Sequence, residues 1–264
     1  MNGPSRQTSN FYPLLPFLTL LRREVHRFLK VSVQTLLTPI ITASLYLFVF
    51  GATLGERLSV VEDFSYAQFV IPGLILMGVI NNSFANSSSS LFMARYLGNI
   101  VDLMVTPMSP AQLIFAYTCA SMLRGILVGS AVLLVSLFFA PVPWTSPFLA
   151  LLMVLLASFI FAQFGLIAAI YSNNFDNLSM FTNFIILPLI YLGGVFYPVS
   201  ILPEPWEQFS RLNPLFYLID GFRHALLGVG DTSLLMALLI AGGFATGLFG
   251  WAAWLIGRGY RLRS

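Results

Sequence analysis

The chain has 264 residues, 58% of them hydrophobic and only 9% charged. A soluble domain carries roughly 25% charged residues, so this composition excludes an ordinary soluble protein. The net charge of +3 does not indicate a nucleic-acid partner, because the basic residues lie mostly near the two ends of the chain, where they would orient a membrane protein.

The uncharged stretches of the chain are long enough to cross a bilayer. They cover 31–55, 64–94, 103–123, 125–175, 177–203 and 232–257. A helix needs about 20 apolar residues to cross the hydrocarbon layer, where unpaired backbone groups find no water. The sequence therefore predicts an all-α polytopic membrane protein with six transmembrane helices, near 32–52, 66–90, 110–139, 148–171, 178–197 and 233–256. The predicted domains are a polar tail at 1–13, an amphipathic helix at 14–30, one transmembrane domain at 31–257 and a basic tail at 258–264.

Residues 14–30 are predicted to form a basic amphipathic helix that lies in the headgroup layer. Apolar residues recur at helical spacing, and the opposite face is basic. The basic residues are Arg22, Arg23, His26, Arg27 and Lys30. The alternative is a solvated charge run that only sets topology. The excess of Arg and Lys at both ends of the chain places both termini in the cytoplasm.

The connection at 91–109 is then cytoplasmic and is predicted to contain a short amphipathic helix. Its apolar residues, Met93, Leu97, Ile100, Val101 and Met104, are spaced as on one helix face. Arg95, Asn99 and Asp102 point elsewhere. Such a helix could dock into a groove on a cytoplasmic partner or could pack on lipid, and periodicity does not choose between them. Ser109 and Pro110 are typical of an N-cap followed by the first helical residue.

Polar residues inside the predicted spans mark a second candidate site. Asn82 and Asn86 are four residues apart and share a face of the second span. Arg124 is the charged residue placed well inside a span, where insertion is costly. These three residues could line a translocation path or could bond helices together. The partner of Arg124 stays open among an amide of the second span, a backbone carbonyl and a substrate anion.

The long connection at 198–231 combines four prolines with many aromatic residues. Proline interrupts helices, so the segment is predicted to form an outer re-entrant helical hairpin, shielded by the spans. An interfacial aromatic anchor is the alternative. Asp220 is expected to lie at headgroup level.

Three stretches of the chain resemble a known family. They are Phe64-Ser65-Tyr66 through Pro72-Gly73-Leu74, Asn99-Ile100-Val101-Asp102-Leu103 to Thr106-Pro107, and Gly193-Gly194-Val195-Phe196-Tyr197 through Asn213-Pro214-Leu215. Their order and spacing resemble the ABC-2-type permeases, the membrane subunits of certain bacterial ABC exporters. The similarity is strongest to the branch of short permeases that includes the nodulation-factor exporter and YadH-like proteins.

The resemblance implies a role for each segment. Residues 14–30 would be the connecting helix and 91–106 the main coupling helix. A second contact with the ATPase would lie at 172–177, and the outer hairpin at 199–231. The coupling residues would be Arg95, Asn99, Asp102, Asn174 and Asp176. The hairpin residues would be Tyr197, Trp206, Asn213, Phe216 and Arg223.

The resemblance also implies the partners: two copies of the chain, a homodimer in membrane lipid, would work with two separate ATPase subunits. ATP and magnesium would then bind to the ATPase. The single lysine, Lys30, follows Leu29 rather than glycine, so the chain has no P-loop signature. We expect no catalytic residue, metal site or cofactor in this chain.

The predicted function is therefore the permease of an ATP-driven exporter in the bacterial inner membrane, carrying an amphipathic or lipid-linked substrate outward. A secondary transporter or channel is the alternative. It would need an ionisable group at mid-depth, and the predicted spans contain no carboxylate there. A membrane-embedded enzyme would need acidic or histidine clusters that the spans also lack.

Overall fold

The computed structural model describes residues 14–52, 64–106 and 108–261, except for the side chains of Leu103 and Met104. Within these ranges, six helices are long and apolar enough to cross a membrane. Called spans 1 to 6 below, they are Ser32–Gly51, Tyr66–Tyr96, Pro110–Ser136, Pro147–Tyr171, Phe175–Leu192 and Leu234–Gly257. The prediction of an all-α polytopic membrane protein is confirmed. The predicted tail at 1–13 and residues 262–264 lie outside the described residues.

Span 2 is the centre of the bundle, because it packs along both span 3 and span 4. Two glycines permit the close approach. A Cβ atom on Gly125 would lie 2.1 Å from Ser83 Oγ, and one on Gly165 would lie 2.1 Å from Ser87 Oγ. Small residues let helix backbones approach in a membrane. By contrast, a Cβ atom on Gly243 of span 6 would meet no atom within 4 Å.

Spans 2 and 3 begin with the same capping arrangement. Ser109 Oγ accepts from the backbone N–H of Gln112, whose side chain accepts from the Ser109 N–H, and Pro110 is the first helical residue. Ser65 and Gln68 repeat this arrangement at span 2. The caps satisfy N–H groups that a helix start leaves unpaired.

Span 2 is longer than predicted, and the expected single coupling helix across 91–106 is wrong. The helix of span 2 ends at Tyr96, and the chain turns at Gly98, whose φ of 75° is in the left-handed region that favours glycine. A separate short helix, Ile100–Val105, follows. Arg95 therefore belongs to span 2, while Asn99 and Asp102 lie beyond the break. The prediction failed because the apolar residues keep a helical spacing on both sides of Gly98, although the chain turns there.

Span 5 begins and ends earlier than predicted. It contains a π-helical turn at Phe181–Ile186, and Pro188 is the second residue of the α-helical segment that follows. Proline cannot donate a backbone hydrogen bond, and a π-helical turn is one way in which a helix accommodates such a gap. The span ends at Leu192 because Gly193 and Gly194 turn the chain, with φ of 77° at Gly194.

The connection after span 5 forms two short helices, Glu204–Leu212 and Pro214–Leu227, called the hairpin below. A 3-10 turn at Val199–Ile201 precedes them. The second hairpin helix packs against spans 2, 4 and 6. The helices are where the prolines predict them, and their insertion into the outer leaflet stays a prediction.

The two ends of the bundle carry different elements. At one end, the Arg261 guanidinium donates to the carbonyl oxygen of Tyr171 at 3.4 Å. Tyr96 lies at the same end, because the neighbouring Arg95 side chain contacts the last turn of span 4. We call this end the terminal face and the opposite end the hairpin face. The N-terminal helix, Leu14–Leu29, is also toward this side, because its Arg27 and Glu24 side chains bond to Asn86 and Ser90 in the second half of span 2.

Candidate functional site

The N-terminal helix, Leu14–Leu29, is part of the bundle rather than a free surface element. It packs on span 3 and buries Leu20, Glu24 and Phe28, which are four residues apart and share one face. Leu14 and Leu18 are instead exposed. The helix is amphipathic as predicted, but its buried stripe includes a carboxylate that the sequence analysis left out.

The Glu24 carboxylate is 2% exposed and is fully surrounded by donors. It accepts hydrogen bonds from Arg23 Nη2 at 3.3 Å, from Arg27 Nε at 3.1 Å and from the Ser90 hydroxyl of span 2. A buried charge is tolerated when it is paired and hydrogen-bonded. The spacing of Leu20, Glu24 and Phe28 was the signal in the sequence that could have revealed this burial.

Asn86 of span 2 joins three helices. Arg27 Nη2 donates to both its backbone oxygen and its Oδ1 atom, each at 3.1 Å. Arg124 Nη1 of span 3 donates to the same Oδ1 atom at 3.4 Å. The Asn86 amide in turn donates to Ser121 Oγ at 3.1 Å. We call Glu24, Arg27, Asn86, Ser90, Ser121 and Arg124 the Asn86 network.

Asn82 does not belong to this network, although it shares a helix face with Asn86. Its amide donates to the carbonyl of Gly78 in the same helix at 3.1 Å. It lines a cavity of about 270 Å³ between spans 1, 2, 3 and 5. The polar residues lining this cavity are Thr38, Thr42, Asn81 and Asn82. The three residues predicted to line one path are therefore at two sites: Asn86 and Arg124 belong to the Asn86 network, and Asn82 lines an open, uncharged cavity.

Arg95 is held inside the bundle. Its Nη1 group donates to the carbonyl oxygens of Ala169, Ile170 and Ser172 at the end of span 4. The last carbonyls of a helix have no partner within the helix, and a basic side chain there satisfies them. Arg95 therefore caps the end of span 4. This role depends on a contact between two spans and is not visible in the sequence.

The remaining residues predicted for coupling lie on the terminal face. Asn99, Asp102 and Asp176 are exposed. Asn174 is also exposed, but its Oδ1 atom caps span 5 by accepting from the Asn177 N–H at 2.7 Å. The structure thus brings Asn99, Asp102 and Asp176 to one end of the bundle with their polar groups accessible.

Arg223 fixes the hairpin to span 2. It is buried, and its guanidinium donates to the carbonyl oxygens of Gly194 at 2.6 Å and Phe69 at 3.4 Å. The same group lies 3.9 Å from the centre of the Phe69 ring, a cation–π contact. Burial lowers the pKa of Arg223 to about 10, against the opposing effects of Asp220 and Asp231. The side chain remains charged at neutral pH.

Asp220 is buried within the protein, and its expected depth at headgroup level stays a prediction. It accepts from the backbone N–H groups of Asp231 and Thr232, at 2.8 and 2.9 Å, and from the Thr232 hydroxyl at 2.7 Å. These bonds hold the chain between the hairpin and span 6. Asp220 is buried because it lies on the side of the second hairpin helix that packs against the spans.

The other predicted hairpin residues are mostly structural. Tyr197 donates to the Tyr191 carbonyl at 2.9 Å, and the Asn213 amide donates to the Leu189 carbonyl at 2.6 Å. Phe216 is buried.

Trp206, on the first hairpin helix, is exposed. Within residues 14–52, 64–106 and 108–261, no three His, Cys, Asp or Glu side chains are grouped closely enough to hold a metal ion.

Six spans, a basic helix bonded to them and a proline-delimited hairpin define a multi-pass helical membrane protein. Residues 16–227 match the family model described as ABC-2 type transporter, and the chain belongs to this family. It is a membrane component of that class of transporter.

Two groups of relatives span nearly the same length. The chain is 41% identical to the inner membrane transport permease YadH of Escherichia coli (strain K12), over 92% of this chain and 94% of that protein. It is 23% identical to nodulation protein J of Rhizobium leguminosarum bv. viciae, over 81% of this chain and 83% of that protein. It is 24% identical to nodulation protein J of Neorhizobium galegae, over 86% of this chain and 87% of that protein.

Proposed function

We propose that this chain is the permease subunit of an ATP-driven exporter in the bacterial inner membrane. Two copies would work with two ATPase subunits encoded separately, which bind the ATP and magnesium. Membership of the ABC-2 family and the similarity to an inner membrane transport permease support this proposal. The absence of a glycine–lysine pair from the sequence agrees with ATP hydrolysis by another subunit.

The Asn86 network is the observation that carries the proposal. It bonds the N-terminal helix to span 2 through Arg27 and Ser90, and bonds span 2 to span 3 through Ser121 and Arg124. Buried charged groups are costly to separate from their partners. A push on the terminal face would therefore move these three helices together instead of deforming one of them.

The contact with the ATPase would involve the exposed polar groups of the terminal face. Asn99 directly precedes the short helix Ile100–Val105, and Asp102 lies in its first turn. Asp176 lies in the first turn of span 5. Arg95 and Asn174 would act indirectly, by fixing the ends of spans 4 and 5 on which this surface is built. Electrostatic complementarity would then orient the ATPase.

The cavity beside Asn82 is the candidate start of the substrate path. Its polar lining is uncharged, and its other walls are apolar side chains such as Leu74, Met77 and Leu187. This combination suits an amphipathic or lipid-linked substrate. Spans 1 and 5 border the cavity and expose most of their surface, so a second copy of the chain could close it.

A secondary transporter or channel has less support. Such a protein would use a protonatable or ion-binding group within the bundle. Glu24 is buried among the helices, but Arg23, Arg27 and Ser90 occupy its oxygens.

Charge inversion on the terminal face tests the proposal. In the complex reconstituted with its ATPase, Asp102→Arg should reduce transport per ATP hydrolysed, because an inverted charge would repel a complementary surface. Glu207→Arg, on the hairpin, is the matched control and should leave coupling unchanged. The purified chain alone should hydrolyse no ATP. Equal coupling in both variants, or hydrolysis by the isolated chain, would refute the proposal.

A further inference from the structure

A cleft of about 460 Å³ lies between the second half of the N-terminal helix and the last turns of span 2. Arg23, His26 and Arg27 line it from the N-terminal helix, and Lys30 lines it from the turn that follows that helix. Ser90 and Asn99 line it from the other side. The cleft opens at the terminal side of the bundle, next to the Asn86 network but outside the cavity beside Asn82.

The cleft has an excess of positive charge. Among the described residues that line it, three Arg and Lys side chains face one carboxylate, Glu24, which leaves a formal net charge of +2. The Glu24 oxygens already accept from Arg23, Arg27 and Ser90. Within the described part of the chain, no group accepts a hydrogen bond from Lys30 Nζ. An anion entering the cleft would thus find donors that lack a full set of partners.

The rim of the cleft is apolar and exposed. Met93 and Leu97, which line the cleft from the end of span 2 and the residue after it, are 36% and 59% exposed. A ligand that matches this surface has an anionic head and an apolar body. A free anion would leave the rim uncovered, whereas a lipid would cover it.

We propose that this cleft binds the phosphate headgroup of an anionic phospholipid, with the acyl chains lying along the exposed apolar side chains of the rim. Basic pockets beside membrane helices recognise such headgroups through charge. The phosphate would share Arg27 with Asn86 and Glu24, so an occupied cleft would hold the N-terminal helix more firmly on the bundle. This site is independent of the proposed transport activity.

Lipid titration of the purified full-length chain tests the site. The chain is placed in phosphatidylcholine nanodiscs, and phosphatidylglycerol is titrated in while retained lipid is counted by native mass spectrometry. Wild-type protein should retain phosphatidylglycerol in preference to phosphatidylcholine, less strongly at high salt. Lys30→Gln should weaken retention about fivefold, and Arg23→Gln with Lys30→Gln about thirtyfold. Arg22→Gln removes one positive charge from the N-terminal helix outside the cleft, and should have little effect.

Three outcomes would overturn the proposal. The first is equal retention of the two lipids by wild-type protein. The second is an equal effect of Arg22→Gln and Lys30→Gln, which would indicate diffuse attraction. The third is displacement of the lipid by the ATPase subunit or by millimolar glycerol phosphate, which would assign the cleft to a protein or to a free phosphate. Lys30 lies outside the Asn86 network, so its variant remains informative even if the double variant unfolds.

Discussion

Arg27 and Asn86, 59 residues apart in the sequence, are joined by two hydrogen bonds of 3.1 Å from one guanidinium nitrogen to the backbone and side-chain oxygens of Asn86. This pair connects the basic N-terminal helix to the most buried span. Arg124 reaches the same side-chain oxygen from span 3. One amide oxygen therefore accepts from two partly buried arginines that come from different helices.

Asn86→Leu should lower the free energy of unfolding by about 1–3 kcal/mol, because both guanidinium groups lose an acceptor and Ser121 loses a donor. The measurement is thermal unfolding of the purified protein in one detergent. Asn82→Leu is the matched control, since its amide bonds only within its own helix.

The control variant should keep its stability and lose transport if the cavity beside Asn82 is the substrate path. A stability loss in Asn82→Leu as large as in Asn86→Leu would contradict the distinction between the buried network and the cavity.

Gly165→Ala should separate spans 2 and 4. The added Cβ atom would lie 2.6 Å from the Phe84 backbone oxygen, which cannot move without the helix. Overpacking of this kind costs about 1–3 kcal/mol, measurable as a lower unfolding temperature. Gly243→Ala has open space and should be neutral or slightly stabilising, because alanine favours the helix. Indistinguishable unfolding temperatures would show that spans 2 and 4 do not pack this closely.

Asp220→Asn should loosen the segment that links the hairpin to span 6. The substitution removes the charge from an acceptor of three hydrogen bonds, and hydrogen bonds to charged groups contribute about 1.5–3 kcal/mol. Amide hydrogen exchange at Asp231 and Thr232 should accelerate. Glu207→Gln breaks a surface pair with Arg211 and should change little. Unchanged exchange in Asp220→Asn would mean that other contacts hold the segment.

Cysteine labelling on the apolar face of the first hairpin helix would test whether the hairpin enters the lipid. Phe209 and Leu212 are 63% and 81% exposed. In a chain with Cys119 replaced by Ala, a cysteine at position 209 should react slowly with a membrane-impermeant reagent, because lipid would cover it. A cysteine at position 204 should react rapidly. Equal rates would place the hairpin in water. Phe216 is buried by protein and would be protected in either case.

The sequence by itself determined the six spans, the capped start of span 3 and the two hairpin helices. These features depend on local physics. Uninterrupted apolar length decides whether a segment can cross a bilayer, because its backbone must be satisfied within the helix. Ser109 and Pro110 act on adjacent backbone groups, and the prolines of the hairpin act on their own turns. None of these effects requires knowledge of a neighbouring helix.

Tertiary structure alone decided which polar residues meet. Glu24 is buried because span 3 covers one stripe of the N-terminal helix, and Arg95 faces span 4 because span 2 continues to Tyr96. Asn82 and Asn86 share a helix face, yet only Asn86 is bonded to Arg27. The covering of a helix face depends on the packing of distant segments, which helical spacing within one segment does not specify.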